Sequence, residues 1–127
     1  MDPLVSIIVP AYNAASTIAG AVSSALGQTE PRVEVVVVDD GSHDATAAIA
    51  EAHGPRVRVI RQANAGVAAA RNAGMRAARG PFFAWLDADD LSLPHHVASS
   101  LSLLAAADRA LVASDGLRMG PDGLERG

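Results

Sequence analysis

The sequence predicts an α/β fold built on a mostly parallel sheet, and three observations support it. Short β-branched runs alternate with helical segments along the chain. One run, Val33–Val38 (VEVVVV), is almost unbroken Val, the pattern of a strand covered on both faces. No repeat or linker interrupts the alternation in 127 residues, a length that suits one domain.

Each element can be justified in turn. Leu4–Pro10 (LVSIIVP), with Pro at both sides, predicts the first strand. Ala14–Leu26 sets Ile18, Val22 and Leu26 on one helical face, and Gly27 is a stop signal. Val33–Val38 predicts the second strand and ends in Asp39-Asp40-Gly41-Ser42. Ser42 or Asp44 can cap the Ala-rich helix that follows to Ala52, where His53-Gly54-Pro55 breaks it. Val57–Arg61 (VRVIR) predicts a third strand, Asn64–Gly66 a turn, and Val67–Ala78 a helix. Phe82–Leu86 (FFAWL) predicts a fourth strand, with Trp85 in the core between apolar neighbours. Pro94 suits the first turn of a helix running to Ala107, and Ala110–Ser114 (ALVAS) predicts a fifth strand. The last dozen residues are Gly-rich and lack a clear period, and are expected to be frayed or cut short.

Composition narrows the function. All 10 basic residues are Arg against 14 acidic ones, a net charge of −4, so the basic surface of a nucleic-acid binder is not expected. Cys is absent, which excludes disulfides, thiolate metal sites and Cys nucleophiles. No apolar run approaches the roughly 20 residues of a membrane span. Met1-Asp2-Pro3 is acidic and leads straight into a strand, unlike a signal peptide. A soluble chain is expected, in the cytoplasm or peripheral at the inner face of the membrane. Ala-rich, Arg-only usage matches the coding bias of a GC-rich bacterial genome.

Parallel strands bring their carboxyl ends to one edge, where ligands bind. Here that edge is expected to gather Asp39 and Asp40 after the second strand, and Asp87, Asp89 and Asp90 after the fourth. Carboxylates in one crevice repel one another unless a positive charge joins them. With no Lys and little Arg nearby, a hard divalent cation, Mg²⁺ or Mn²⁺, is the expected counter-charge. Mg²⁺ is commonly held by one or two carboxylates plus substrate phosphates, which points to a phosphorylated ligand. Taken singly, Asp44 and Asp90 are as well explained by turns and helix caps.

VSIIVPAYNAASTI, VVVVDDGSHDAT, NAGVAAARNAG and FFAWLDADD, in this order and spacing, resemble family 2 glycosyltransferases of the Rossmann-like GT-A fold. The resemblance runs from about Leu4 to Val112, and four ordered blocks are far more specific than one Asp-X-Asp. It implies that Pro10, Ala11 and Tyr12 cradle a nucleobase and ribose, with the Tyr12 ring available for stacking. It implies that Asp40 accepts from a nucleobase N–H and that Asp39 supports the loop or the ribose. Arg71 falls where the family places a cation near the diphosphate. Asn72 and Gly74 serve loop shape and close packing. In the Asp87-Ala88-Asp89 block, Asp89 resembles the metal ligand and Asp87 the partner that reaches the ribose or the metal's water shell. The implied ligands are a nucleoside-diphosphate sugar, UDP before GDP or dTDP, and Mn²⁺ or Mg²⁺. The implied reaction is inverting transfer to an acceptor hydroxyl on a saccharide, lipid or protein, with the metal assisting departure of the diphosphate.

Inversion needs a carboxylate base, which the family carries further along its domain. Asp108, Asp115, Asp122 and Glu125 are the late carboxylates, and none is assigned that role. The chain is expected to be the N-terminal part of a longer domain. A binding fragment without catalysis is therefore the alternative function. A truncated sheet edge also makes a homo-oligomer one expectation. A dinucleotide-binding dehydrogenase is set aside because PAYNAAS stands where G-x-G-x-x-G would be. A Mg²⁺-binding receiver domain is disfavoured: the first strand lacks an acid pair and the chain lacks Lys. His43, His53, His95 and His96 match no common Zn spacing and are expected to be surface or capping residues.

Overall fold

The computed structural model describes residues 2–107, 117–120 and 123–126, with side chains described for residues 2–103. The chain runs β1 (Val5–Ala11), α1 (Ile18–Leu26), β2 (Val33–Asp39), α2 (Thr46–Glu51), β3 (Val57–Arg61), α3 (Val67–Ala77), β4 (Phe82–Trp85), α4 (His96–Ala107), β5 (Leu117–Gly120) and β6 (Gly123–Arg126). The first four strands form one parallel sheet in the order β3-β2-β1-β4. The predicted strand at 110–114 lies outside the described residues. Within the last dozen residues, expected to be frayed or cut short, Leu117–Gly120 and Gly123–Arg126 form an antiparallel pair, β5 with β6.

Both faces of the sheet are covered, as the Val run requires. Val5, Ile7, Val9, Val33, Val35 and Val37 share a core with Ile18, Ala21, Val22 and Ala25 of α1 and Ala50 of α2. The alternate residues Val36 and Val38 face Ala70 of α3. Gly74 makes that second packing possible. A Cβ there would lie 2.4 Å from Ile8 Cγ2 and 3.3 Å from Val38 Cγ2.

Glu34, the one polar residue in the Val run, is buried by design of its neighbours. Ser6 Oγ donates to it at 2.6 Å, the Arg79 amide at 2.6 Å, and the Arg58 guanidinium at 2.9–3.0 Å. Gly80 N donates to Ser6 Oγ at 2.9 Å, so one network ties β1, β2, β3 and the approach to β4. Burial pushes the Glu34 pKa up, but the Ser6, Arg79 and Arg58 hydrogen bonds outweigh it and the carboxyl sits below its ordinary value.

Trp85 is not a core residue, contrary to its sequence context. It is 46% exposed, and Phe83 is 48% exposed. Trp85 pairs in register with Ile8, on the sheet face that α3 covers. α3 packs over β1 and β2, and among the described residues β4 lies at the end of the sheet order. Apolar flanking residues cannot reveal an edge position.

Candidate functional site

The chain steps from β1 to β2 to β3 in one direction and then places β4 on the other side of β1. The strand order thus reverses at β1 and β4, and ligands of open α/β sheets bind beyond the carboxyl ends at such a point. Four loops meet there.

The loop after β1 carries Tyr12, 48% exposed, next to buried Ala11. It is locked to the loop after β2. Asn13, at φ 47°, donates its amide to Ser42 Oγ at 2.8 Å and accepts from His43 N through Oδ1 at 2.8 Å. Ala14 N donates to Thr46 Oγ1 at 2.9 Å, and Ala15 N to Asp44 Oδ2 at 3.2 Å. Asp44 also accepts from Thr46 N at 3.0 Å and from the Thr46 hydroxyl. Asp44 is thus a loop former just before α2; the helix cap position itself is Ala45, which makes no side-chain cap, so neither Ser42 nor Asp44 occupies the expected cap.

The acid pair after β2 has two different settings. Asp39 is 6% exposed, and its Oδ1 accepts from Ser42 N at 3.1 Å, closing the turn. Asp40 is 5% exposed and faces the loop between β3 and α3. Oδ1 accepts from Gln62 Nε2 at 2.9 Å and Ala65 N at 2.8 Å; Oδ2 accepts from Gly66 N at 3.0 Å and Asn64 Nδ2 at 3.4 Å. The Gln62 carboxamide, aided by the Ala65 and Gly66 amides, outweighs desolvation and holds the Asp40 carboxyl below the usual range. Gly41 permits this closeness: its φ is +80°, and a Cβ would stand 2.8 Å from Asn64 N.

The acids after β4 form the metal-binding candidate. Leu86 N donates to Ile8 O at 3.0 Å, extending the β1–β4 ladder, and Asp90 N donates to Asp87 O at 3.0 Å, closing a turn. Asp87, Asp89 and Asp90 each offer a carboxylate oxygen, all within 4.8 Å of one another. Asp89 is exposed, the other two half-buried, and the Ala88 side chain packs into the core. Three hard oxygen donors so close fit Mg²⁺ or Mn²⁺. Arg71 of α3 comes to 3.9 Å from Asp87 and lies 5.9 Å from the centroid of the Trp85 ring.

The expectation that all five acids share one cation is corrected. β1 separates β2 from β4, so the two acidic ends stand two strand spacings apart, about 10 Å. Asp39 Oδ1 and both Asp40 carboxylate oxygens accept loop hydrogen bonds, and the metal-competent group among the described residues comprises Asp87, Asp89 and Asp90. Asp90, read singly as a turn former, belongs to this group as well. Histidine is not part of it: His53 contacts Ile49 O and Ser23 Oγ, and His95 contacts Thr29 Oγ1. Sequence reasoning missed Asn13, Ser42, Gln62 and Asn64. The turn signal at Asn64–Gly66 was visible, but not which carboxylate it would wrap.

This arrangement of strands, loops and acids coincides with a known family pattern. The family model for glycosyl transferase family 2 matches residues 6–124. The chain belongs to glycosyl transferase family 2. Among its relatives, the succinoglycan biosynthesis protein ExoO of Rhizobium meliloti is 48% identical over 117 residues, covering 91% of this chain and 33% of ExoO. The structure of S. aureus TarS 1–349 in complex with UDP-GlcNAc superposes with a TM-score of 0.77 at 27% identity, over 87% of this chain and 37% of that one. The mannosyltransferase PcManGT from Pyrobaculum calidifontis, in complex with GDP-Man and Mn²⁺, superposes with a TM-score of 0.73 at 31% identity, over 83% of this chain and 33% of that one. The four-stranded parallel sheet with flanking helices is therefore the GT-A fold over part of its length. The chain spans about a third of the length of its curated relatives or less. No helix among the described residues is long and apolar enough to cross a membrane.

Proposed function

We propose that this chain binds the nucleoside-diphosphate sugar of an inverting glycosyltransferase and holds its diphosphate through a divalent cation. The observation that carries the reading is the carboxylate trio of Asp87, Asp89 and Asp90 at the strand-order reversal, in a family 2 chain. The separation of the two acidic ends supports it too, since a nucleoside diphosphate has its base and its charge at opposite ends. Tyr12 and the β2 end would receive base and ribose; Asp87 and Asp89, with Asp90 beside them, would hold the cation. Arg71 would add a planar cation for phosphate oxygens. A bound Mn²⁺ or Mg²⁺ would neutralise charge on the departing diphosphate. UDP is the favoured nucleotide, in keeping with the TarS complex, and the acceptor is a hydroxyl of a saccharide, lipid or protein.

Asp40 is the proposed reader of the base N–H, with a condition attached. Its carboxylate already receives four donors, about the number of lone-pair directions it has. A base at Asp40 must share or displace one, and the long 3.4 Å contact from Asn64 is the weakest. The catalytic base is left unassigned; Asp108, Asp115 and Asp122 lie outside the described residues. A donor-binding piece without turnover of its own is the second reading.

Calorimetric titration of UDP with and without Mn²⁺ tests the proposal. Metal-dependent binding by the native chain, lost in Asp89→Ala with the fold intact, is the expected result. Unchanged affinity in that variant would defeat the metal assignment. A donor-hydrolysis assay then separates a transferase from a binding piece.

A further inference from the structure

The acidic turn is short, exposed at Asp89, and composed of groups that repel one another. Something must hold its carboxylates together before a cation arrives. On its entry side, Leu86 is fixed to Ile8 by the sheet. On its exit side, the anchor is a side chain far away in sequence.

Gln28 follows α1 and is 7% exposed. Its Nε2 donates to Leu93 O at 2.8 Å, to Ser92 Oγ at 2.9 Å and to Ser24 O at 3.2 Å. Its Oε1 accepts from Val97 N at 3.0 Å. Two neighbouring bonds reinforce it: Ser92 N donates to Ser24 Oγ at 2.9 Å, and Thr29 N to Pro94 O at 2.8 Å. The segment 92–97, which begins one residue beyond Asp90, is thereby fastened to the end of α1.

We infer that Gln28 is a positioning residue of the cation site, holding the acidic turn in its binding shape from the α1 end. The inference rests on the metal reading of Asp87, Asp89 and Asp90. A carboxamide meets the local requirement, because Leu93 O needs a donor and Val97 N an acceptor, and Gln28 presents both on one planar group. Without it, the exit side keeps the Ser92–Ser24 and Thr29–Pro94 bonds but loses the hold on Leu93 and Val97, and the acidic turn is less firmly set against the repulsion among its carboxylates. The cation must then reassemble its ligands, at a cost in affinity.

The test uses the full chain and Mn²⁺ alone, with the free-ion signal followed by electron paramagnetic resonance and the fold by circular dichroism. Gln28→Ala is expected to weaken Mn²⁺ binding by about tenfold, the low end of what supporting residues contribute around metal ligands. Gln28→Glu, which keeps the acceptor and loses the donor, is expected to weaken it similarly. If either variant fails to fold, Ser24→Ala, which removes the hydroxyl that accepts from Ser92 N and donates to Ala21 O within α1, carries the test with a smaller loss in the same direction. A folded variant with a lower melting temperature but Mn²⁺ affinity within about twofold of native shows a purely structural role and overturns the inference. Native chain that binds no Mn²⁺, or Asp89→Ala that binds it unchanged, overturns the metal reading itself and the inference with it.

Discussion

The Arg71 guanidinium lies 3.9 Å from the Asp87 carboxylate, linking α3 to the acidic end of β4. Both side chains are substantially exposed, so the pair adds little to stability. Its value lies in placing a planar cation beside the proposed diphosphate position. Arg71→Ala is expected to leave the melting temperature nearly unchanged and to weaken UDP–Mn²⁺ binding by about tenfold to a hundredfold, as loss of charge-assisted hydrogen bonds implies. Arg71→Lys should recover only part of this, because an ammonium cannot present a bidentate fork. Calorimetry on the three proteins decides it, and equal affinities would remove Arg71 from the site.

Gly74→Ala tests the packing of α3 on the sheet. The new methyl would meet Ile8 and Val38, both fully buried and unable to retreat. Alanine favours a helix by about 1 kcal/mol over glycine, while overpacking a core costs about 1–3 kcal/mol. A net loss of stability is expected, seen as a lower midpoint in urea unfolding.

Acid should weaken the fold through Glu34 and Asp40. Both carboxyls titrate below their ordinary values of 4.5 and 3.8 in the folded chain. Folding therefore favours their charged forms: the stabilisation is complete above those ordinary values and is lost as pH falls through them towards the lower folded ones. Glu34→Gln should flatten the acid limb of stability against pH and also reduce stability at pH 7, since its amide would face the donors of Arg79 or Arg58. Denaturant unfolding between about pH 3 and 7 tests the sign.

Asp40→Asn should loosen the loop between β3 and α3. The introduced amide would face either Ala65 and Gln62 or Gly66 and Asn64, donor against donor, at about 1–3 kcal/mol. Faster hydrogen exchange at Ala65 and Gly66 is the expected readout. Gln62→Ala separates anchoring from base reading. It frees a lone pair on Asp40, so UDP affinity should hold or rise if Asp40 reads the base, and fall if the loop alone matters.

Much of the fold was legible along the chain. The expected bounds of the strand at Val57–Arg61 are the observed ones, and the other described strands and helices expected from the sequence lie within a few residues of their expected positions. Unbroken Val at β2 foretold a doubly covered sheet because a strand's two faces appear directly in its alternation. Trp85 defied its neighbours because exposure at a sheet edge depends on which strand lies beside it. Gln62 and Gln28 are illegible for a related reason: Gln62 acts on Asp40, 22 positions away, and Gln28 on Ser92, Leu93 and Val97, at least 64 positions away.

By itself the sequence determined the alternation of strands and helices, the acids that would end β2 and β4, and the absence of Lys and Cys that narrowed their chemistry. These are local or additive properties, carried by each residue wherever the chain goes. Only the tertiary structure decided that β1 divides the acids into two groups, that Asp40 belongs to a loop and Asp90 to the carboxylate trio, and that Arg71 reaches Asp87. Those relations depend on strand order and register, which arise from packing both faces of the sheet at once and are written in no single segment.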